Sequence, residues 1–199
     1  MVTMRIILLT TIGLLMIAAS WLPSGRKWVV DSSSRLLIHG STNVNKFVCA
    51  TDCYNLKDTL EYVENTKSCE IMFSKNEMTI PVQSFNCGND MITKDFWNTI
   101  NVKKYPDLKI QFISLNDSQS LFRGRTVTGK VQITLAGVTR TFQVKYDVRH
   151  DEKKKVLSLL GRQPVCFSDF QLKAPVKMMG LIQVQEDLDV EFHLNLIPV

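Results

Sequence analysis

The sequence predicts an all-β protein: a closed antiparallel barrel of about eight strands with one short α-helix inserted near its middle. Three observations carry that reading. Residues 127–148 alternate apolar and polar on both sides of a Gly-centred turn, the pattern of a long antiparallel hairpin. Val131, Ile133 and Leu135 share one face of its first strand, and Phe142, Val144, Tyr146 and Val148 share one face of its second. The same period of two recurs at Leu108, Ile110 and Phe112, and along Leu188, Val190, Phe192, Leu194 and Leu196, which interleave with Asp189, Glu191, His193 and Asn195. Finally, no repeat, low-complexity tract or linker interrupts the pattern, which favours one closed sheet over a pair of stacked ones.

Taken in order, residues 28–31 and 35–40 read as strand broken at Ser32, Ser33 and Ser34, and residues 43–49 continue the ribbon. Residues 54–68 admit two readings: Leu56, Leu60 and Val63 fit a helical stripe, while the charge density suits an exposed connection. Strands follow at 69–73 and 78–85, separated by a Ser-Lys-Asn turn. Asp90 is the expected N-cap of a helix over 91–101, where Ile92, Phe96 and Ile100 recur at helical spacing with Trp97 alongside. Pro106 stops that helix and launches the strand at Leu108. Strands then run to the end, apart from a Pro-bounded link at 171–180 and a hairpin tip at Lys153, Lys154 and Lys155.

Residues 1–20 belong to a separate problem. Arg5 precedes an apolar run over 6–19 that ends in Ala18-Ala19-Ser20, the layout of a cleaved signal peptide. Spanning a bilayer of ~30 Å takes roughly 20 apolar residues, so the run is too short for a stable membrane anchor, and no Cys lies in it or close behind it to carry a lipid. A single domain over 21–199, periplasmic or secreted, is expected. The net charge of +5 comes from basic residues scattered at outward strand positions without interleaved aromatics, which argues against a nucleic-acid partner.

Export gives the cysteines meaning, because an oxidising compartment lets disulfides persist. Cys49, Cys53, Cys69 and Cys87 crowd the first half without the paired spacing of a metal site, so disulfides among them are expected. Three connectivities are open; Cys49 and Cys87 each flank a strand end near one rim and make the chosen bridge. Cys166, beside Phe167, reads as a buried inert thiol.

No nucleophile–base pair, carboxylate pair, metal cluster or phosphate loop appears, and the chain reads as a non-enzyme without a cofactor. His193 falls on the wet face, His150 in a charged loop, and His39 is ambiguous; catalysis would need His39 turned inward beside a carboxylate. The informative surface is the inner wall. Phe112, Ile133, Leu135, Phe142, Val144, Tyr146, Val190 and Phe192, with Trp97 of the helix, are the candidate ligand-binding residues, and Val144 and Ile133 are expected mid-wall. Such a wall encloses either a filled core or a slender apolar tunnel. In a tunnel each buried methylene contributes ~0.8 kcal/mol, so two isoprene-sized units give roughly 6 to 8 kcal/mol before ordering costs.

Several motifs, in order, resemble one family. They are Asp31-Ser-Ser-Ser-Arg-Leu36, Ile80-Pro-Val-Gln-Ser-Phe-Asn-Cys-Gly-Asn89 leading into Asp95-Phe96-Trp97, then Tyr105-Pro106, Val127-x-Gly129 through Leu135-x-Gly137-Val-Thr-Arg140, and Ser168-Asp169-Phe170. Together they are similar to the YceI-like family over nearly all of residues 21–199. The resemblance implies an extended eight-stranded lipocalin-like barrel, exported, with a polyisoprenoid chain bound inside. Many members carry an Arg-Asp pair and a following His-Leu before the helix, where this chain has Cys87-Gly88-Asn89-Asp90, so no head-group role is carried to those positions. The expectation is an exported binding protein for a long apolar ligand, a polyisoprenoid lipid or isoprenoid quinone. The alternative is a filled barrel acting as a structural, stress-related or protein-interaction module, and a homodimer is left open.

Overall fold

The computed structural model describes residues 25–51 and 58–199; the expected signal peptide, residues 1–20, and Cys53 lie outside them. In chain order the strands are β1 (Arg26–Val30), β2 (Arg35–Ser41), β3 (Lys46–Thr51), β4 (Thr59–Asn65), β5 (Glu70–Lys75), β6 (Glu77–Pro81) and β7 (Phe85–Asn86). Helix α1 (Asp90–Ile100) and strand β8 (Asp107–Leu115) follow, then a short helix α2 (Ser118–Phe122). The rest comprises β9 (Val127–Leu135), β10 (Val138–Asp151), β11 (Val156–Cys166), β12 (Val176–Lys177), β13 (Ile182–Gln183) and β14 (Asp187–Pro198).

Every strand pairing is antiparallel, and eight walls close into a barrel: β1, β4, β5 with β6, β8, β9, β10, β11 and β14, which returns to β1. Strands β5 and β6 count as one broken wall, because both pair with β8, at Ile71↔Leu115 and at Met78↔Ile110. Strand β14 is shared: its last residues pair with β1, whereas Asp189 to His193 pair with β2. From β2 the sheet runs on to β3 and β7. One end of the barrel is thus zipped by β1, and the other is walled by this three-strand extension.

The long hairpin has the expected register. Leu135 faces Val138, and the two residues between them, Ala136 and Gly137, both have positive φ, as a type I′ turn demands. At Gly137 a Cβ would also come within 2.7 Å of the Tyr105 ring, so two independent constraints favour glycine there.

One local expectation needs correction, and two elements go beyond what the sequence settled. Asn89, not Asp90, caps α1: its backbone is extended and its side-chain oxygen accepts from Met91 N and Ile92 N, leaving Asp90 as the first helical residue. The stretch left open around residue 60 is strand β4, whose buried Leu60 and Tyr62 alternate with half-exposed neighbours. Helix α2 was not foreseen, since five residues are too few for a periodic signal; it starts on an Asp117 cap that accepts from Ser120 N at 2.9 Å.

Among the cysteines, Cys49 and Cys87 form a disulfide. Cys69, expected in a bridge, is a free thiol. The reason is distance along the barrel. Cys87 lies just past the β6 end that pairs with the start of β8, whereas Cys69 sits beside the β5 start that pairs with the end of β8. Nine residues of extended strand at ~3.4 Å each separate those ends.

Candidate functional site

The barrel interior divides into a packed half and a hollow half. In the packed half the Trp28 and Tyr62 rings are 4.1 Å apart, Phe73 lies 6.0 Å from Trp28, and Phe112 lies 6.0 Å from Phe73. Phe192 borders both hollows and forms the floor between the two halves, with the Tyr146 ring 6.3 Å from it and edge-on. Room for Tyr146 comes from its neighbours: a Cβ on Gly161 would lie 2.5 Å from the ring and one on Gly129 2.8 Å. The Tyr146 hydroxyl is buried without a hydrogen-bond partner, and burial pushes its pKa up. A hollow of only about 20 Å³ remains beside it, touched by Phe112 and Phe192.

Above this floor a cavity of about 570 Å³ opens toward the other end. Its walls are Leu36 and Ile38 of β2, Leu108 and Ile110 of β8, Ile133 and Leu135 of β9, and Val190 and Phe192 of β14. These are mostly aliphatic groups where the packed half has rings, which leaves the centre unfilled. Polar atoms enter only near the mouth, from Thr42, Asn45, Lys46, Asp95, Thr99, Cys166 and Lys177.

Two pieces frame that mouth. Helix α1 presents Ile92, Phe96 and Ile100, the stripe read from the sequence, to the cavity. Its entry is pinned by the Cys49–Cys87 disulfide, by Cys87 N donating to Thr93 Oγ1 at 3.0 Å, and by Phe96 packing 5.4 Å from Phe85. The second piece is a strap, residues 175–184, in which β12 and β13 pair around a tight turn. Asn43 holds it: its side chain donates to Leu181 O at 2.9 Å and accepts from Gln183 N at 3.0 Å. Lys177 ties the strap to the helix through Asp95 at 2.6 Å.

The structure distributes the nine sequence-predicted site residues unevenly. Ile133, Leu135, Val190 and Phe192 line the large hollow. Phe112 and Tyr146 belong to the packed half beside the small one. Val144, expected mid-wall, is fully buried but touches neither hollow, because the space above it is taken by packing across Gly161, whose added Cβ would lie 2.9 Å from Val144. Phe142 packs 6.3 Å from Phe170, and it is Phe170 that faces the cavity. Trp97 packs against the core without lining the cavity, since one residue along a helix turns the side chain about 100° from Phe96. Leu36, Ile38, Leu108, Phe170 and, from the strap, Pro175, Met178, Ile182 and Val184 were missed as site residues; for the β2 pair the unbroken apolar run Leu36-Leu37-Ile38 gave no alternation to read.

His39 faces outward. Its Nε2 lies 3.1 Å from Glu191 on the outer wall, where Glu191 also meets His193 and, at 2.8 Å, Arg162. The His–carboxylate pairing thus stands on the side of the wall opposite the hollow. Hydrogen bonds from His193 and Arg162 hold the Glu191 carboxyl down at about 2, against an ordinary 4.5. A carboxyl lowered on folding stabilises the fold above its unfolded pKa, and that contribution disappears as pH falls from about 4.5 through about 2. Glu191→Gln is therefore expected to flatten the acid limb of a urea-stability profile over that window, by on the order of 1 kcal/mol for a solvent-reached cluster. An unchanged acid limb would count against the cluster. Cys166, read as buried, is half-exposed at the cavity wall; its thiol donates to Asp187 at 3.2 Å, which with burial raises its pKa and disfavours the thiolate.

Among the described residues no helix is long and apolar enough to cross a membrane, and no cluster of His, Cys, Asp and Glu is arranged to hold a metal. No curated protein sequence matches the chain. Solved structures do share its fold. Burkholderia cenocepacia BcnA aligns over 83% of this chain and 99% of its own, with a TM-score of 0.56 and 16% identity. A polyisoprenoid binding domain from Saccharophagus degradans, implicated in plant cell wall breakdown, aligns over 85% and 97%, with a TM-score of 0.57 and 13% identity. A Campylobacter jejuni YceI protein aligns over 68% and 78%, at 0.50 and 17%. The YceI-like domain profile matches residues 38–196, from β2 to β14 and so across most of the barrel wall, and by that match the chain belongs to the YceI-like family.

Proposed function

We propose that the protein is an exported, non-enzymatic carrier that holds the chain of a polyisoprenoid lipid or isoprenoid quinone in the hollow half of its barrel. The observation that carries this reading is the cavity of about 570 Å³, almost wholly apolar, bounded on the packed side by Phe192 and open at one end. At ~30 Å³ per water-sized group it accommodates about 20 carbon-sized groups, or four isoprene units. Their burial at ~0.8 kcal/mol per methylene amounts to roughly 16 kcal/mol before ordering costs, ample for tight retention without a polar anchor. The polyisoprenoid binding named for the Saccharophagus degradans domain supports the ligand class. The Cys49–Cys87 disulfide and the apolar run over 6–19 support export. The filled-module reading suits the packed half, where aromatic rings meet, but leaves the open half without a purpose.

Mass spectrometry of an organic extract from natively purified protein tests the reading. An isoprenoid species at near-equimolar ratio is the expected result. Protein that yields no lipid and takes up no added polyprenol would overturn it.

A further inference from the structure

Of the eleven large apolar side chains exposed among the described residues, seven stand on three neighbouring pieces: the β2–β3 turn, α1 and the strap. Val44, Met91 and Met178 are 61%, 72% and 68% exposed, yet each also borders the cavity, so the outer patch continues into the inner apolar wall. Met179 and Leu181 project from the strap beside Met178. A soluble protein rarely gathers unpartnered apolar groups in this way without something to cover them. The same three pieces, with the approach to the strap, carry four lysines, Lys46, Lys94, Lys173 and Lys177, against two aspartates, Asp90 and Asp95. Lys177 and Asp95 engage each other, which leaves Lys46, Lys94 and Lys173 against Asp90.

We propose that this rim docks on the surface of a bilayer containing anionic lipid, seating Met179, Leu181, Met178 and Met91 among the acyl chains and the lysines among the head groups. Flexible unbranched methionines suit a disordered apolar partner, and basic groups flanking an apolar tip are the composition of an interfacial anchor. The geometry adds the reason: a mouth pressed into the interface gives an isoprenoid chain an apolar path from membrane to barrel without crossing water. The inference extends the carrier reading and is testable apart from it.

The test is co-sedimentation of the purified protein with vesicles of phosphatidylcholine, with and without phosphatidylglycerol. Binding to the anionic vesicles, weakened by salt, is expected. The double variant Met179→Glu/Leu181→Glu should lose roughly tenfold or more in vesicle affinity, with melting temperature and extractable lipid unchanged, since both side chains are exposed. Phe122→Glu on α2, also exposed but away from the rim, should bind as the unmodified protein does. Wild-type protein that binds neither vesicle, a double variant that binds undiminished, or a dimer in sedimentation velocity that the double substitution dissolves would each overturn docking. Lipid recovered without vesicle binding would sink docking and leave the carrier. Patch-dependent vesicle binding by protein that yields no lipid and takes up no added polyprenol would support docking and sink the carrier.

Discussion

Replacing Val190 by Trp should abolish lipid retention while leaving the fold close to its original stability. Val190 lies on the cavity wall, paired with Ile38, itself a wall residue, and an indole turned inward enters existing space. The added volume then displaces ligand and no protein atoms. The same substitution at Val144 should behave in the opposite way. Val144 has no exposed surface and no bordering hollow, so an indole there must push against Tyr146 and the β11 backbone at Gly161. Overpacking of this kind costs about 1 to 3 kcal/mol or more, which for a domain of this size lowers Tm by several degrees. Thermal unfolding and lipid extraction of the two variants side by side separate the sites. A Val190→Trp protein that keeps its lipid would remove the hollow from the mechanism, and a Val144→Trp protein with unchanged Tm would show that the packed half is not packed.

That pair of variants also marks where sequence reasoning stopped. Period-two alternation placed Ile133, Val144 and Tyr146 on the inner face of one hairpin, and all three are buried there. Alternation reports which face a side chain takes and nothing about what stands across the barrel. The difference between Ile133 and Val144 lies in Gly161 on the next strand, opposite Tyr146 in register, and that pairing depends on where the β10–β11 turn falls. The helix stripe of Ile92, Phe96 and Ile100 was legible because eleven residues give three turns of signal. The strap was not: its two-residue strands are too short for a period, and what holds them is Asn43, some 140 residues away in sequence. His39 could be assigned a face only once Ile38 was seen to line the cavity. The Cys49–Cys87 bridge was chosen from strand ends sharing a rim, a sound basis because disulfides need proximity, and the same argument fails for Cys69 at the other end of β8.

The bridge carries the second large expected effect. Removing it by Cys49→Ser/Cys87→Ser should destabilise the fold by about 4 kcal/mol, the chain-entropy value for a loop closed over a separation of 38 residues. More follows from where the bridge sits. Within that loop lie β4, β5, β6 and β7, and just past it α1, whose entry the disulfide fastens to β3. The hydrogen bond from Cys87 N to Thr93 and the Phe85–Phe96 contact remain when the bridge is cut, so α1 should persist but open more readily. Because α1 forms one side of the mouth, a looser helix should speed lipid loss more than the drop in global stability alone would. Hydrogen exchange should therefore rise first over residues 86–100, ahead of β9 and β10. If exchange rises equally throughout the barrel, the disulfide acts on the unfolded chain alone, and the mouth owes its shape to packing.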